Sequence, residues 1–190
     1  MTVHVALEGI DNAGKTTVCT ELAKVLEKCG RRVHVTKEFS TDYGQVLKQR
    51  LYGRTNSPSP HEKALAFALD RLLRLEALKT IDCDVVLWDR YVLSALVYRG
   101  LEGTDKQWVE TINSIFLTPQ LYLYIDVSPQ DAQLRGETAG RVCPYSEEFL
   151  SACRKDYLNY VEMGTLQMLR ANTVEEQVKE ISLLIEQQKS

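Results

Sequence analysis

The residues from Gly9 to Thr17 read GIDNAGKTT, and the apolar run Val3–Leu7 comes directly before them. The part from Gly9 to Thr16 fits GxxxxGK[ST], which is typical of a phosphate-binding loop when a strand precedes it and a helix follows it. Glycines let the backbone turn tightly enough for successive N–H groups to point at phosphate oxygens, and the helix N-terminus adds its positive end. The pattern therefore predicts a site for nucleotide phosphates between the first strand and the first helix.

Two side chains of this loop have specific predicted roles. Lys15 is expected to reach the β- and γ-phosphates of a nucleoside triphosphate, and Thr16 is expected to ligate Mg²⁺. The alternative is a glycine-rich turn that binds nothing, which the flanking strand and helix patterns disfavour. ATP and Mg²⁺ are the predicted cofactors. The loop residues expected to hold them are Gly9, Asn12, Ala13, Gly14, Lys15, Thr16 and Thr17.

Length and charge limit the class of protein. The chain has 190 residues, which suits one α/β domain spanning residues 1–190. It carries 23 basic and 26 acidic residues, for a net charge of −3, and neither sign forms a long block. A nucleic acid or an anionic membrane is therefore not expected as a partner. No apolar run reaches the roughly 18 residues of a membrane helix, so membrane insertion and secretion are unsupported.

The cysteines indicate the compartment. They are odd in number and lack CxxC spacing, which disfavours a disulfide framework and a zinc site. We expect reduced thiols in a cytoplasmic protein. The five cysteines are Cys19, Cys29, Cys83, Cys143 and Cys153.

Short apolar runs alternate with helical periodicity along the chain, which is typical of a parallel sheet covered by helices. The predicted class is α/β. The candidate strands are Val3–Leu7, Arg32–Thr36, Val85–Trp88, Leu121–Val127 and Thr165–Leu169. The candidate helices run from Lys15 to just before Gly30, from about His61 to Thr80 with an apolar stripe of Leu65, Leu69, Leu72 and Leu73, and from Val174 to Ile185.

Two stretches interrupt this alternation. The segment from Tyr52 to Pro60 is predicted to be a loop. The segment from Gly136 to Tyr145 is short enough for a mobile lid of about residues 136–146, and Arg135 and Arg141 flank it. These two arginines could close over a transferred phosphoryl group and neutralise its oxygens. A solvated charged loop has the same composition and is the alternative.

A second motif ends the third candidate strand. Asp89 follows an apolar run, and an acidic residue in this place helps to hold Mg²⁺ in proteins with a phosphate-binding loop. Arg90 beside it could clamp phosphate with its planar set of donors. In the alternative interpretation, Asp89 caps the next helix and Arg90 is solvated.

A third pair lies on the second candidate helix. Phe67 and Arg71 are four residues apart, so they share one helix face. A flat base could stack on the ring while the guanidinium donates to a base carbonyl. Judged alone, the pair more often means a core aromatic residue and an exposed arginine.

The order of several motifs resembles the thymidylate kinase family of nucleoside monophosphate kinases over nearly the whole chain. The segments that carry the resemblance are LEGIDNAGKTT (7–17), FALDR (67–71), DRYVLSALVY (89–98) and PQLYLYIDVSPQDAQLR (119–135). The resemblance implies a five-stranded parallel sheet flanked by helices, a short lid, a homodimer, and transfer of phosphate from ATP to dTMP or a related pyrimidine deoxynucleotide.

The same resemblance assigns site residues. In the acceptor site, Asp11 would approach the sugar hydroxyl, Tyr98 would lie against the deoxyribose, and Arg90 would contact phosphate. The base would stack on Phe67 and bond to Arg71. Asn12 stands where some members carry an arginine, so the catalytic arginines would be Arg135 and Arg141 of the lid, and Asn172 would lie near the donor adenine.

One segment departs from the family pattern and leaves alternatives open. After the second strand the family has a turn with proline and arginine, whereas this chain reads KEFSTDYG from Lys37 to Gly44. Glu38 stands where related deoxynucleoside kinases carry a carboxylate that acts as base on a sugar hydroxyl. A deoxynucleoside kinase that uses Glu38 is thus one alternative, and a nucleotide-binding switch without kinase activity is the other.

Overall fold

The sheet has five strands, all parallel, in the order β2-β3-β1-β4-β5. A computed structural model describes residues 2–53, 57–141 and 143–188. The strands are β1 (Val3–Glu8), β2 (Val33–Lys37), β3 (Val85–Asp89), β4 (Leu121–Tyr124) and β5 (Gln167–Met168). The predicted α/β class and parallel sheet are confirmed. The last two strands are shorter than predicted, because only Leu123 and Tyr124 of β4 pair with Gln167 and Met168 of β5.

Helices cover this sheet. Those within the described residues are α1 (Lys15–Lys28), α2 (Asp42–Tyr52), α3 (Pro60–Leu78), α4 (Val92–Leu101), α5 (Lys106–Asn113), α6 (Pro129–Thr138), α7 (Glu147–Glu162) and α8 (Val174–Gln187). None of the helices in these ranges is both long and apolar enough to cross a membrane. The predicted first, second and last helices correspond to α1, α3 and α8, with ends shifted by at most a few residues.

The site lies at the carboxyl ends of three neighbouring strands, β3, β1 and β4. β1 lies in the centre, with Leu7 paired to Asp89 of β3 on one side and Glu8 paired to Tyr124 of β4 on the other. β2 and β3 lie on one side of β1, whereas β4 and β5 lie on the other, so the strand order reverses at β1. A crevice opens at the carboxyl ends beside such a reversal, and this is where open α/β sheets bind ligands. The loop from Gly9 to Gly14 fills the bottom of this crevice.

Helix α1 begins where the loop geometry requires it. Gly14 precedes it with φ +103°, a conformation that residues with a Cβ rarely adopt. Its apolar face then packs into the core, with Val18, Leu22 and Leu26 buried. Burial of these side chains holds the helix N-terminus against the end of β1, so the phosphate-binding loop is clamped between two rigid elements.

Helix α3 buries a charged face and exposes leucines. Ser59 and Glu62 form a capping box at its start. Its buried face includes Asp70 and Arg74, whose carboxylate and Nε lie 2.9 Å apart. Leu65 and Leu69 of the predicted apolar stripe are 52% and 40% exposed. Leu72 and Leu73 are half-buried, and Leu72 packs against the core cluster that includes Trp88 of β3. The predicted stripe therefore marks a packed face only in its second half.

The lid boundary differs from the prediction. Ser128 caps α6 through its hydroxyl, which accepts from the N–H of Asp131, and the helix continues through Thr138. Arg135 and Gly136 are therefore helical, and Gly136 is buried against the side chain of Asn12 rather than acting as a hinge. We call residues 139–146, between α6 and α7, the lid segment; its residue 142 lies outside the described residues. Similarly, the predicted loop from Tyr52 to Pro60 is shorter, because α2 ends at Tyr52 and α3 begins at Pro60, and residues 54–56 lie outside the described residues.

Candidate active site

Lys15 lies at the base of the phosphate-binding loop. Its Nζ donates to the carbonyl oxygens of Gly9 (3.1 Å) and Ile10 (2.7 Å), so the ammonium spans the loop from inside. Burial lowers the pKa of Lys15 to about 8, and the positive charge of Arg90 adds to this shift. A phosphate group bound in the loop would place negative charge beside this buried ammonium and stabilise its charged form.

Thr16 and Asp89 meet across the same loop. The Thr16 hydroxyl donates to a carboxylate oxygen of Asp89 over 2.5 Å, although the two residues come from α1 and the end of β3. Their approach follows from the register, which pairs Leu7 with Asp89 and so brings the end of β3 beside the loop. A hydroxyl and a carboxylate in contact at a phosphate-binding loop are the donor set that Mg²⁺ uses when phosphates supply its other ligands.

Arg90 is held in an unusual backbone conformation. Its φ is +70°, in the left-handed region that costs free energy for a residue with a Cβ. Side-chain contacts fix it there: the guanidinium donates to the Gly9 carbonyl (3.1 Å) and the Ser94 hydroxyl (3.2 Å), and lies 3.1 Å from Asp11. The predicted solvation of Arg90 in the alternative interpretation is wrong, because these groups surround it.

Asp11 forms hydrogen bonds with Tyr98 and an ion pair with Arg90. The Tyr98 hydroxyl donates to the Asp11 carboxylate (2.6 Å) and accepts from the Asp11 N–H (3.1 Å). Burial alone would raise the pKa of this carboxyl, but the charges of Arg90 and Lys15 lower it below its ordinary value. The carboxylate is therefore ionised, and it faces the side of the loop opposite to α8.

Three cavities meet at this edge of the sheet. The P-loop cavity, of about 240 Å³, is lined by Asp11, Asn12, Gly14, Lys15, Thr16, Thr17, Lys37, Glu38, Asp89, Arg90 and Arg141. The α8 cavity, of about 490 Å³, lies on one side, and its lining includes Asn12, Ala13, Gly14, Thr17, Asp126, Arg135, Arg141, Asn172 and Gln177. The α3 cavity, of about 420 Å³, lies on the other, lined by Asp11, Glu38, Tyr52, Ser57, Lys63, Phe67, Arg90, Ser94, Ala95, Tyr98, Arg99, Pro144 and Tyr145.

The P-loop cavity lies between the other two and shares lining residues with each of them. Asn12, Gly14 and Arg141 border both the P-loop cavity and the α8 cavity, while Glu38 and Arg90 border both the P-loop cavity and the α3 cavity. A ligand in the α8 cavity and one in the α3 cavity would therefore meet at the phosphate-binding loop. This is the arrangement required for group transfer between two bound molecules.

Glu38 stands at the junction of the P-loop and α3 cavities. Burial raises the pKa of its carboxyl, and the charges of Arg90 and Arg74 oppose that shift. The preceding Lys37 is exposed and lines the P-loop cavity. The segment after β2 thus provides one cation and one carboxyl group to the cavity that faces the loop.

Helix α3 holds the turn after β2. The Asp70 carboxylate accepts from the Phe39 N–H at 3.1 Å, and Phe39 has φ +59°, a strained value for a residue with a Cβ. Gly44 completes the turn, because a Cβ there would approach the Asp70 carboxylate to 2.5 Å. The buried Phe39 ring packs on Phe67 at 4.9 Å between centroids and so fixes the wall of the α3 cavity.

Phe67 and Arg71 have different surroundings despite their shared helix face. Phe67 lines the α3 cavity. Arg71 is not exposed, as the simpler interpretation predicted, but 1% accessible. Its guanidinium donates to the Asn113 side chain (2.5 Å) and to the Tyr91 carbonyl (3.1 Å). These partners draw it into the core between α3 and α5, and it does not line the α3 cavity.

The two predicted lid arginines also differ. Arg135, on α6, donates to the Ala13 carbonyl at 3.2 Å and borders the α8 cavity. Arg141 is exposed in the lid segment and borders both the P-loop and α8 cavities. Asn172, just before the N-terminus of α8, is exposed and lines the α8 cavity. Thus Arg141 borders the P-loop cavity, whereas Arg135 borders only the α8 cavity.

Sequence reasoning missed the carboxylate that organises the end of β3. Glu8 is fully buried and accepts from the N–H groups of Tyr91 (3.0 Å) and Ser94 (3.2 Å) and from the Tyr157 hydroxyl (3.2 Å). These bonds hold the start of α4 and thereby the turn at Arg90. An acidic residue at the end of an otherwise apolar strand was the available signal.

Other missed residues line the cavities. Gln177 is buried on α8 and donates to the Ala171 carbonyl at 3.0 Å, which shapes one end of the α8 cavity. Lys63 and Tyr145 line the α3 cavity. Arg99 also lines it, at a position where the family resemblance places polar groups near the base or sugar. No local pattern connects these three residues, since only the packing of α3, α4 and the lid segment brings them together.

Comparison with known proteins agrees with this geometry. The family model described as thymidylate kinase matches residues 7–181. A probable thymidylate kinase of Pyrobaculum calidifontis is 36% identical over 161 residues, covering 82% of this chain and 81% of the relative. One of Staphylothermus marinus is 34% identical over 172 residues (87% and 85% covered), and one of Thermococcus gammatolerans is 32% identical over 203 residues (99% and 98%). The protein belongs to the thymidylate kinase family and is a nucleoside monophosphate kinase with a phosphate-binding loop.

Proposed function

We propose that this protein transfers the γ-phosphoryl group of ATP to dTMP, giving ADP and dTDP. The observation that carries the proposal is the sequence of cavities: an α8 cavity and an α3 cavity open onto opposite sides of the phosphate-binding loop and share walls with it. ATP would lie with its adenine in the α8 cavity beside Asn172 and its phosphates on the loop. The acceptor would lie in the α3 cavity, with its base against Phe67.

The acceptor needs no strong general base in this reaction. A phosphate monoester has a second pKa near 6, so it presents an oxyanion at pH 7. The protein then has to align the two phosphates and neutralise charge. Lys15 and the loop N–H groups would hold the donor phosphates, and Arg90, at the boundary between two cavities, would orient the acceptor phosphate. Arg141 and Arg135 would neutralise the transferred group.

The acceptor sugar would be held by the pair formed by Asp11 and Tyr98. The carboxylate of Asp11 is ionised and can accept from a sugar hydroxyl, while the ring of Tyr98 lines the same cavity. Because Arg90 also contacts Asp11 at 3.1 Å, the groups for sugar and phosphate are held as one unit. Glu38 would face the acceptor phosphate from the junction of the two cavities.

Mg²⁺ fits the donor set formed by Thr16 and Asp89. These two residues would hold the ion, which would supply positive charge that stabilises the negative charge on the phosphates. We expect Asp89→Asn to raise the Mg²⁺ concentration for half-maximal activity by about tenfold or more, since an amide is a weaker ligand partner than a carboxylate. Initial rates over a Mg²⁺ titration measure this effect. An unchanged half-maximal Mg²⁺ concentration would contradict the assignment of Asp89. The control is Asp82→Asn, because Asp82 precedes β3 and so lies at the amino end of the strand.

An acceptor screen tests the function. Purified protein with ATP and Mg²⁺ is assayed against deoxy- and ribonucleoside monophosphates and against free nucleosides, with product identified by chromatography. We expect dTDP from dTMP, and no product from thymidine. The comparisons give no support to a nucleoside acceptor or to a switch without kinase activity. Phosphorylation of thymidine alone, or phosphate release without any acceptor, would contradict the proposal.

We also propose that the protein is a cytoplasmic homodimer. All five cysteines are free, as expected in a reducing compartment. Leu65 and Leu69 lie one turn apart on the outer face of α3, and their exposure there supports contact with a second copy. We expect sedimentation to give the mass of two chains for the wild type and of one chain for Leu65→Glu. A wild type with the mass of one chain at micromolar concentration would contradict the proposal.

A further inference from the structure

We propose that Glu8 is a positioning residue for the acceptor phosphate: it directs the hydroxyl of Ser94 so that this hydroxyl holds the guanidinium of Arg90 in place. The inference rests on the proposed function, since it takes Arg90 as the cation that orients the acceptor phosphate. Glu8 is fully buried and lines none of the three cavities at the site. Its effect on a bound nucleotide therefore passes through other residues.

The backbone at Arg90 is strained and is held from both sides. Its φ of +70° is unfavourable for a residue with a Cβ. The Arg90 N–H donates to the Leu7 carbonyl at 3.1 Å. The next N–H, of Tyr91, donates to the Glu8 carboxylate at 3.0 Å. Two consecutive residues of β1 thus hold the two peptide groups that flank the strained residue.

Glu8 also caps helix α4, which begins directly after this turn. The residue that precedes α4 is Tyr91, and its side chain makes no capping hydrogen bond. The carboxylate of Glu8 takes this role by accepting from the Ser94 N–H at 3.2 Å. A negative group at a helix N-terminus also interacts favourably with the helix dipole. The first turn of α4, and with it Ser94, is therefore fixed to the end of β1.

The Ser94 hydroxyl connects Glu8 to Arg90. It donates to the second carboxylate oxygen of Glu8, and it accepts from Nη1 of Arg90 at 3.2 Å. A hydroxyl has one hydrogen, so a serine whose hydrogen points to Glu8 can only accept from its other neighbours. A carboxylate accepts and never donates, which keeps the hydroxyl in this direction. Glu8 thereby makes the Ser94 oxygen an acceptor for the guanidinium.

The contacts of the Arg90 guanidinium leave a donor for phosphate. Nη1 donates to Ser94 and to the Gly9 carbonyl, and Nη2 lies 3.1 Å from the Asp11 carboxylate. The contacts that the structure describes thus use the two terminal nitrogens, and Nε remains for a phosphate oxygen. Arg90 borders both the P-loop cavity and the α3 cavity. Loss of the Ser94 contact would release Nη1 and with it the direction in which Nε points.

Positioning and simple charge repulsion predict opposite effects for Glu8. Burial lowers the pKa of Lys15, and the negative charge of Glu8 is one of the charges that oppose this shift, so its field reaches the phosphate-binding loop. A negative charge near the loop disfavours a phosphate dianion. Removal of this charge alone would strengthen phosphate binding, whereas loss of positioning weakens it.

The test measures how much the phosphate group of the acceptor contributes to binding. The quantity is the ratio of the Kd of thymidine to the Kd of dTMP, from titrations of the full chain without ATP that are followed by nuclear magnetic resonance. Glu8→Gln keeps the size of the side chain and places N–H donors where the neighbouring groups also donate. We expect the ratio to fall by about tenfold or more, while the KM for ATP stays within about twofold of the wild-type value.

Ser94→Ala removes the hydroxyl but keeps the backbone N–H that Glu8 caps. It is expected to lower the ratio as far as Glu8→Gln does, and the double variant should lose no more than either single variant, because both changes break one link. Since Ser94 also lines the α3 cavity, a direct contact with the nucleoside would weaken thymidine and dTMP alike and leave the ratio unchanged. The matched control is Glu176→Gln, because Glu176 accepts from the Thr173 N–H at the start of α8; its ratio should equal that of the wild type.

A ratio at or above the wild-type value in Glu8→Gln would overturn the inference. A double variant whose loss is the product of the two single losses would also overturn it, since the two residues would then act independently. If Glu8→Gln does not fold, Ser94→Ala decides, and a wild-type ratio in that variant would overturn the inference. A wild type that phosphorylates no monophosphate would instead contradict the proposed function itself.

Discussion

Replacement of Lys15 by methionine is expected to lower kcat by about 10²- to 10³-fold and to leave the fold intact, as for the loss of one charge-stabilising donor from an active site. Lys15 is the cation inside the phosphate-binding loop, where its Nζ already lies on the carbonyls of Gly9 and Ile10. On transfer, negative charge must be held on the phosphate oxygens, and water is largely excluded from this buried position. The ammonium is therefore worth more there than on the surface.

The methionine variant separates catalysis from folding. Burial lowers the pKa of Lys15 to about 8, which means that the folded protein without nucleotide disfavours the charge. Methionine has nearly the same length and no charge, so the melting temperature should stay within a few degrees of the wild-type value. Single-turnover rates with saturating ATP and dTMP measure the catalytic loss. Unchanged turnover in a folded variant would remove Lys15 from the mechanism.

Arg141→Ala is expected to lower kcat by about 10³-fold, with little change in the melting temperature. An arginine that reaches the transferred phosphoryl group contributes 10³ or more to phosphoryl transfer in other enzymes with phosphate-binding loops. Arg141 is exposed in the lid segment and borders both the P-loop cavity and the α8 cavity. Asn12 is uncharged, and Lys15 is the cation of the loop itself, so we expect the lid segment to supply the arginine.

Arg135→Ala is the informative comparison for the second lid arginine. Arg135 donates to the Ala13 carbonyl from helix α6, so its removal is expected to loosen the loop and raise the KM for ATP more than it lowers kcat. Rapid-quench measurement of the chemical step distinguishes the two variants, and Arg32→Ala serves as control. Equal losses of kcat in Arg141→Ala and the control would show that the lid segment contributes no catalytic arginine.

Much of the donor side of the site could be predicted from sequence, because it is built from contiguous residues. The loop pattern from Gly9 to Thr16 specifies its own geometry between a strand and a helix. The assignment of both Thr16 and Asp89 to one Mg²⁺ ion also implied that the two residues lie close together. The observed contact of 2.5 Å between these two residues agrees with that expectation.

The acceptor side was less predictable, because its residues come from separate elements. Two of the four leucines predicted to face the core, Leu65 and Leu69, are exposed. The buried face of α3 instead carries Asp70, Arg71 and Arg74. Partners outside α3 surround these charges: Arg71 donates to Asn113 of α5 and to the Tyr91 carbonyl, Asp70 accepts from the turn after β2, and Arg74 lies over the ring of Trp88 on β3. No property of α3 alone indicates those partners.

Sequence alone was sufficient for the α/β class, the phosphate-binding loop and the kinase family, since each depends on local patterns and on their order along the chain. Packing was needed to establish where each buried guanidinium lies. Arg71 and Arg99 have the same chemistry, but Asn113 and the Tyr91 carbonyl draw the first into the core, while Glu102 holds the second at the α3 cavity. Burying a cation is costly unless acceptors surround it, so the position of a buried arginine depends on its partners. Those partners come from segments that only folding brings together.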